Sequence, residues 1–130
     1  MTMEERIRAM YAAFNARAAD AALAGMTTDV DWPNGWEGGR VAGHEAVRDY
    51  WLRQWQEIDA HVEPVEITRG EDDRWTVLVH QIVRSADGAL LADEHVRHVY
   101  AFRGELVERM DIEVLRAGVP RAGSPPRRGR

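Results

Sequence analysis

Two long runs of alternating hydrophobicity, Trp75 to Arg84 and Leu90 to Phe102, meet across Asp87-Gly88. No other feature constrains the fold as strongly. An Asp-Gly pair favours the positive backbone angles of a tight hairpin turn, so the two runs are predicted to pair antiparallel. A further run, Leu106 to about Leu115, follows a turn at Gly104, and Val62-Glu63-Pro64-Val65-Glu66-Ile67 precedes the pair. Pro64 has no N–H for a sheet ladder, which places its strand at an edge.

Upstream, the hydrophobic period changes to that of a helix. Thr2 and Glu5 have capping-box spacing, and Ile7, Met10, Tyr11 and Phe14 share one helical face. Asp20 is placed to cap a short second helix running through Met26, with Leu23 and Met26 inward. Asp29-Val30-Asp31-Trp32 reads as a short strand broken at Pro33, and Asn34 to Gly39 as a loop. A third helix over about 44–58 aligns Val47, Tyr50, Trp51, Gln54, Trp55 and Ile58 on one stripe. Arg48, Asp49, Arg53 and Glu57 occupy the opposite face. The expectation is one α+β domain over residues 1–115, with its helices packed on one face of an antiparallel sheet.

At 130 residues, 45% hydrophobic and 30% charged, the chain has the size and composition of one globular domain, and wholesale disorder is excluded. It has no apolar run of the ~20 residues that a membrane-spanning helix needs. The N-terminus lacks the apolar stretch of a signal peptide, so no membrane partner and a cytoplasmic location are expected. With no cysteine, sulfur-ligated zinc and thiolate chemistry are excluded. All 17 basic residues are arginine, so only the N-terminal amine remains for Schiff-base chemistry. Residues 116–130 hold five arginines and no acid, which leaves −10 on the first 115 residues. Such an acidic body repels phosphate, so nucleic acid is not an expected partner, and 116–130 reads as a solvated Arg/Pro/Gly-rich tail. Gly35, Gly38 and Gly39 do not fit a dinucleotide loop, and there is no serine-nucleophile motif; no cofactor is expected.

A two-residue turn at Asp87-Gly88 sets Val77 opposite His98, Val79 opposite Val96, Gln81 opposite Glu94 and Trp75 beside Tyr100. That face resembles a pocket wall. The other face carries Leu78 opposite Arg97 and His80 opposite His95, and resembles a surface or a subunit contact. The two imidazoles form a candidate metal pair, but no third ligand has suitable spacing, so no metal is expected. Five tryptophans in so small a domain either fill the core or wall a cavity; Trp32 and Trp36, which bracket the glycine-rich loop, fit a pocket mouth. His98 is either a structural group or the readiest proton-transfer group in the chain. Asp111 alternates with Met110 and Ile112: it faces solvent or, if its face is the concave one, is a general base whose pKa is raised by burial.

Phe14-Asn15-Ala16-Arg17, Met26 to Trp32, Gly43-His44-Glu45-Ala46-Val47, His98 to Gly104 and Arg109-Met110-Asp111 together resemble the nuclear transport factor two-like superfamily, in its SnoaL-like branch. The resemblance covers roughly residues 3–115. It implies a cone-shaped fold, with the N-terminal helices in the concavity of a curved sheet, a deep pocket and frequent homodimers. Polyketide cyclases, ketosteroid isomerases, an epoxide hydrolase, dehydratases and non-catalytic proteins share it. Matched to the cyclases, Asp111 is the acid–base group, helped by His98 and Asn34. The isomerase positions fall on Asn34, Met10 and His98, and those of the epoxide hydrolase's arginine and first aspartate on Val79 and Gln81, so neither set is preserved.

The resulting expectation is an apolar, polycyclic or aromatic ligand bound among Trp32, Trp36, Trp51, Tyr100, Gln81, Val79, Met10 and Phe14. Asp111 would abstract a proton next to a carbonyl, and His98 and Asn34 would hold the enolate oxygen. The alternative is a non-catalytic ligand-binding or dimerisation module of the same fold.

Overall fold

The structure is a computed structural model that describes residues 1–115; the segment 116–130, expected as a tail, lies outside the described residues. Three helices, α1 (Met3–Asn15), α2 (Ala19–Leu23) and α3 (His44–Glu57), pack against six strands. The strands are β1 (Met26–Pro33), β2 (Arg40–Ala42), β3 (Ile58–Arg69), β4 (Trp75–Ser85), β5 (Leu90–Arg103) and β6 (Leu106–Val114). They form one curved sheet in the order β2-β1-β6-β5-β4-β3, an α+β cone with its helices in the concavity.

The predicted pairs are observed: Trp75 with Tyr100, Val77 with His98, Val79 with Val96, His80 with His95 and Gln81 with Glu94. They do not arise from the predicted two-residue turn. Ser85 closes onto Ala89 around Ala86-Asp87-Gly88, Arg84 pairs with Leu90, and a register shift between Val83 and Arg84 restores the expected pairing. β3 is an edge strand, and its ladder shifts register between Pro64 and Glu66, where the missing N–H interrupts pairing. The capping box at Thr2 and Glu5 forms on both sides.

Three further local expectations differ from the structure. The second helix is capped by Ala18 without a side-chain bond and ends at Leu23, not Met26. There the Gly25 carbonyl accepts the N–H of Val107 (2.9 Å) and Met26 pairs with Val107, so the sheet takes the backbone that the helix would have used. Ile58 likewise opens β3 instead of closing α3. The short strand β2 was not foreseen, and the sheet is not wholly antiparallel, because β1 runs parallel to β6.

The core lies between the helices and the concave face. Ile7, Leu23, Val30, Val47, Val77 and Val107 are almost completely buried there. Asn15 docks the end of α1 onto the edge strand like an extra rung. Its Nδ2 donates to the Val62 carbonyl (2.8 Å), and the Val62 N–H donates back to Oδ1 (2.9 Å). Arg17 reinforces the dock by donating to the Ala60 carbonyl and pairing with Asp59. No described helix is long and apolar enough to cross a membrane.

Because Leu23 is 1% exposed and α2 is only five residues long, α2 is held by packing and not by its own helicity. Leu23→Ala is expected to lower stability by about 3 kcal/mol through the lost burial and the cavity left behind. In urea denaturation this reads as a lower midpoint at an unchanged m-value.

Candidate functional site

Between α1, α3 and the concave face of the sheet lies a cavity of ≈ 460 Å³. Its aromatic wall joins Trp32 from β1, Phe14 from α1, Tyr50 and Trp51 from α3, and Tyr100 from β5. The rings meet edge-on: Trp32 and Trp51 are 5.8 Å apart at 87°, and Phe14 and Trp51 are 5.5 Å apart at 78°. Such T-shaped contacts place ring edges against π faces and fix the walls.

A chain of three hydrogen-bonding groups lies at the buried side of this wall. The Tyr100 O–H donates to Tyr11 Oη (2.7 Å), and Tyr11 Oη lies 2.8 Å from His98 Nδ1. The Tyr11 oxygen accepts from Tyr100 and keeps one proton of its own; in the tautomer where that proton goes to Nδ1, the imidazole proton sits on Nε2. Nε2 has no hydrogen-bond partner among the described residues, yet it is not one of the sealed, unpaired polar atoms. Since His98 lines the cavity, Nε2–H opens on it.

Burial lowers the His98 pKa to about 4, because the apolar surroundings disfavour the imidazolium. Burial likewise raises the hydroxyls of Tyr11 and Tyr100 above the ordinary phenol value; their mutual contact raises Tyr11 further and partly offsets the shift of Tyr100. All three groups are therefore neutral at physiological pH. The site presents a neutral donor, not a charge.

Asp111 belongs to the cavity lining but does not face His98 in register. On β6, Met110, Ile112 and Val114 pair with Tyr100, His98 and Val96 on the concave side. Asp111 pairs with Val99 on the other face. The residue facing His98 in register is thus Ile112. Arg109 holds both carboxylate oxygens of Asp111 (2.9 and 3.0 Å), and Arg40, which also lines the cavity, approaches Oδ1 at 3.1 Å. Hydrogen bonding to the Arg109 guanidinium pulls the Asp111 carboxyl below the usual range, and the charges of Arg109 and Arg40 act in the same direction. Asp31 closes the set by binding both Arg40 (2.6 Å) and Arg109 (2.7 Å).

Asn34 is buried but outside the cavity lining. Its Oδ1 accepts the N–H groups of Trp36 and Glu37, and its Nδ2 donates to Glu37 Oε1. The amide therefore organises the turn that joins β1 to β2, where Gly38 and Gly39 take positive φ. Glu37 in turn pairs with Arg53 of α3 (2.9 Å), which ties this turn to the helix.

Of the residues expected to wall the pocket, Trp32, Trp51, Tyr100, Gln81, Met10 and Phe14 do line it. Trp36 is 36% exposed on the turn and Val79 is buried in the core, and both lie outside the lining. Sequence reading assigned Tyr11 only to a helix face. Its signal was a hydroxyl on an apolar stripe, which needs a partner once buried. Glu94, which the hairpin register put on the pocket-wall face, lines the cavity, as do Tyr50, Gln54 and Ile112, which were not expected there. On the opposite face, His80 and His95 stack at 4.8 Å, and His80 Nε2 lies 2.6 Å from Asp93. No group of three or more ligands suited to a metal occurs among the described residues.

Comparison with known proteins places this geometry. The SnoaL-like domain matches residues 7–110. No curated protein matches the chain significantly. Among solved structures, TerC co-crystallised with polyporic acid is similar at 27% identity and a TM-score of 0.75, over 86% of this chain and 90% of that one. A nuclear transport factor two-like protein of unknown function from Burkholderia pseudomallei superposes at a TM-score of 0.76, with 23% identity over 88% of this chain and 92% of its own. A protein from Catenulispora acidiphila with a ketosteroid isomerase-like fold, in complex with trimethylamine, reaches 0.74 at 18% identity, over 85% of each chain. These last two likenesses concern the fold.

The lowered His98 pKa has a stability consequence. The unfolded chain takes up a proton near pH 6.5, whereas the folded chain resists it until about pH 4. The stability contributed by neutral His98 is therefore complete above pH 6.5 and is lost as pH falls toward about 4, a change of about 3 kcal/mol. The difference in unfolding free energy between the wild type and His98→Gln, measured from pH 7 to pH 4, is expected to change by about that amount. A pH-independent difference would assign the acid sensitivity to other groups.

Proposed function

The chain belongs to the SnoaL-like domain family, and from that premise we propose that it binds a flat aromatic ligand in the concave cavity and polarises one of the ligand's oxygens with the Nε2–H of His98. The observation that supports this reading is the buried Tyr100–Tyr11–His98 chain, which ends on an imidazole lining an aromatic-walled space. In this reading Tyr11 donates to Nδ1, so Nε2 presents a proton without rearrangement. A neutral, pre-oriented imidazole stabilises negative charge developing on a carbonyl oxygen, as in enolate formation, while avoiding the cost of a buried cation. The aromatic walls match the polyporic acid held by TerC in chemical character, which supports an aromatic ligand here.

Chemistry of the cyclase or isomerase type would add a base that removes a proton beside the polarised carbonyl. In this reading the enzyme needs no cofactor, and His98 is the oxyanion donor. A second reading, a ligand-binding module without catalysis, is favoured by the state of Asp111. Two arginines hold it as a stable carboxylate, which makes it a weak base. Asn34, which holds its turn and lies outside the cavity lining, does not serve an enolate in either reading.

Polyporic acid titrated into the protein is expected to quench the fluorescence of the cavity tryptophans. His98→Phe should bind it about tenfold more weakly, the scale of one lost hydrogen bond to a desolvated partner. Asp111→Asn should bind as the wild type does. Absence of quenching, or equal affinity in His98→Phe, would remove His98 from ligand recognition. Weakened binding in Asp111→Asn would restore that carboxylate to the site.

A further inference from the structure

We propose that Glu94 determines ligand specificity at the open end of the cavity, selecting aromatic ligands that carry a hydroxyl group remote from the oxygen bound at His98. The proposal rests on the aromatic-ligand reading above and adds a second polar anchor to it.

Glu94, Val96, His98 and Tyr100 alternate along β5 and share its concave face, and all four line the cavity. Four residues of extended strand separate the Cα atoms of Glu94 and His98 by ~14 Å. That span fits a ligand of two linked aromatic rings lying along the strand. His98 marks the buried end, whereas Glu94 is exposed. Between them the lining is Val96 on β5, with Ile112 and Val114 of β6 in register beside His98 and Val96.

The two ends differ in hydrogen-bonding sense. Nε2–H of His98 donates, so it takes an acceptor such as a carbonyl oxygen. The Glu94 carboxylate only accepts, so it takes a donor such as a phenolic hydroxyl, in a short charge-assisted bond. Gln81, opposite Glu94 on β4, donates from Nε2 to Glu94 Oε2 (3.2 Å) and steadies the carboxylate. Oε1 has no hydrogen-bond or ion-pair partner among the described residues. The other acid in the cavity lining, Asp111, has both oxygens engaged by arginines, whereas Glu94 has one oxygen without a partner and is the carboxylate better placed to read a ligand. A methyl ether at the same ligand position would lack the donor and place an apolar group against the carboxylate.

The probes are chalcone, para-hydroxychalcone and para-methoxychalcone, titrated by tryptophan fluorescence quenching. The wild type is expected to bind the hydroxy compound about tenfold more tightly than the methoxy compound, the range for a hydrogen bond to a charged group. In Glu94→Gln that preference should fall below about threefold, while affinity for unsubstituted chalcone changes less than about twofold. Glu94 is exposed, so an unaltered melting temperature is expected; Glu94→Ala should show the same loss of preference. A tenfold preference that survives both substitutions overturns the proposal and leaves the aromatic-ligand reading intact. If none of the three probes quenches the wild-type protein, the aromatic-ligand reading falls, and this proposal falls with it.

Discussion

The hydrogen bond from Tyr11 to His98 joins the middle of α1 to the concave floor of the sheet, and the rest of the architecture is arranged around it. A buried hydroxyl and a buried imidazole each cost free energy unless paired, typically 1–3 kcal/mol for a group left unsatisfied. Together with Tyr100 they satisfy one another in the interior, between helix and sheet. The Asn15–Val62 rungs hold the helix end at the sheet edge. With α1 fixed at these two points, the aromatic rings of Phe14, Trp32 and Trp51 meet edge to face and leave a hollow in front of His98.

Charge is sorted by face. Arg40, Arg109, Asp31 and Asp111 form a closed set of ion pairs binding β2, β1 and β6 on the outer side and at the rim. The planar fork of Arg109 grips both oxygens of Asp111, a geometry lysine would not provide. The inner side keeps neutral groups at depth and a carboxylate only where the cavity opens. That gradient suits an aromatic ligand that puts no formal charge at the buried end, where it would carry a large desolvation cost.

Much of the fold was legible because its signals are local. Asp87-Gly88 marks the hairpin, and alternation places Val77, Val79, Val96, His98 and Tyr100 on one face, although the bulge between Val83 and Arg84 is what brings these pairs into register. The helical stripes of α1 and α3 are likewise readable from spacing. Helix ends were less legible at Met26 and Ile58, where strand pairing competed with helix continuation for the same backbone groups. The strand β2, three residues long, exists because β1 offers it a partner and not because of its own pattern.

The candidate site divides along the same line. From the sequence alone came the aromatic load, the inward position of His98 and most of the wall, since alternation and helical period are properties of neighbouring residues. Only tertiary structure decided that Tyr11 meets His98, 87 positions away. Only tertiary structure set the phase of β6, so that Ile112 and not Asp111 faces the imidazole. Alternation separates two faces but does not say which is inner. That choice is made when the sheet curves and the helices cover one side, and it fixes whether a carboxylate meets an apolar hollow or a pair of arginines.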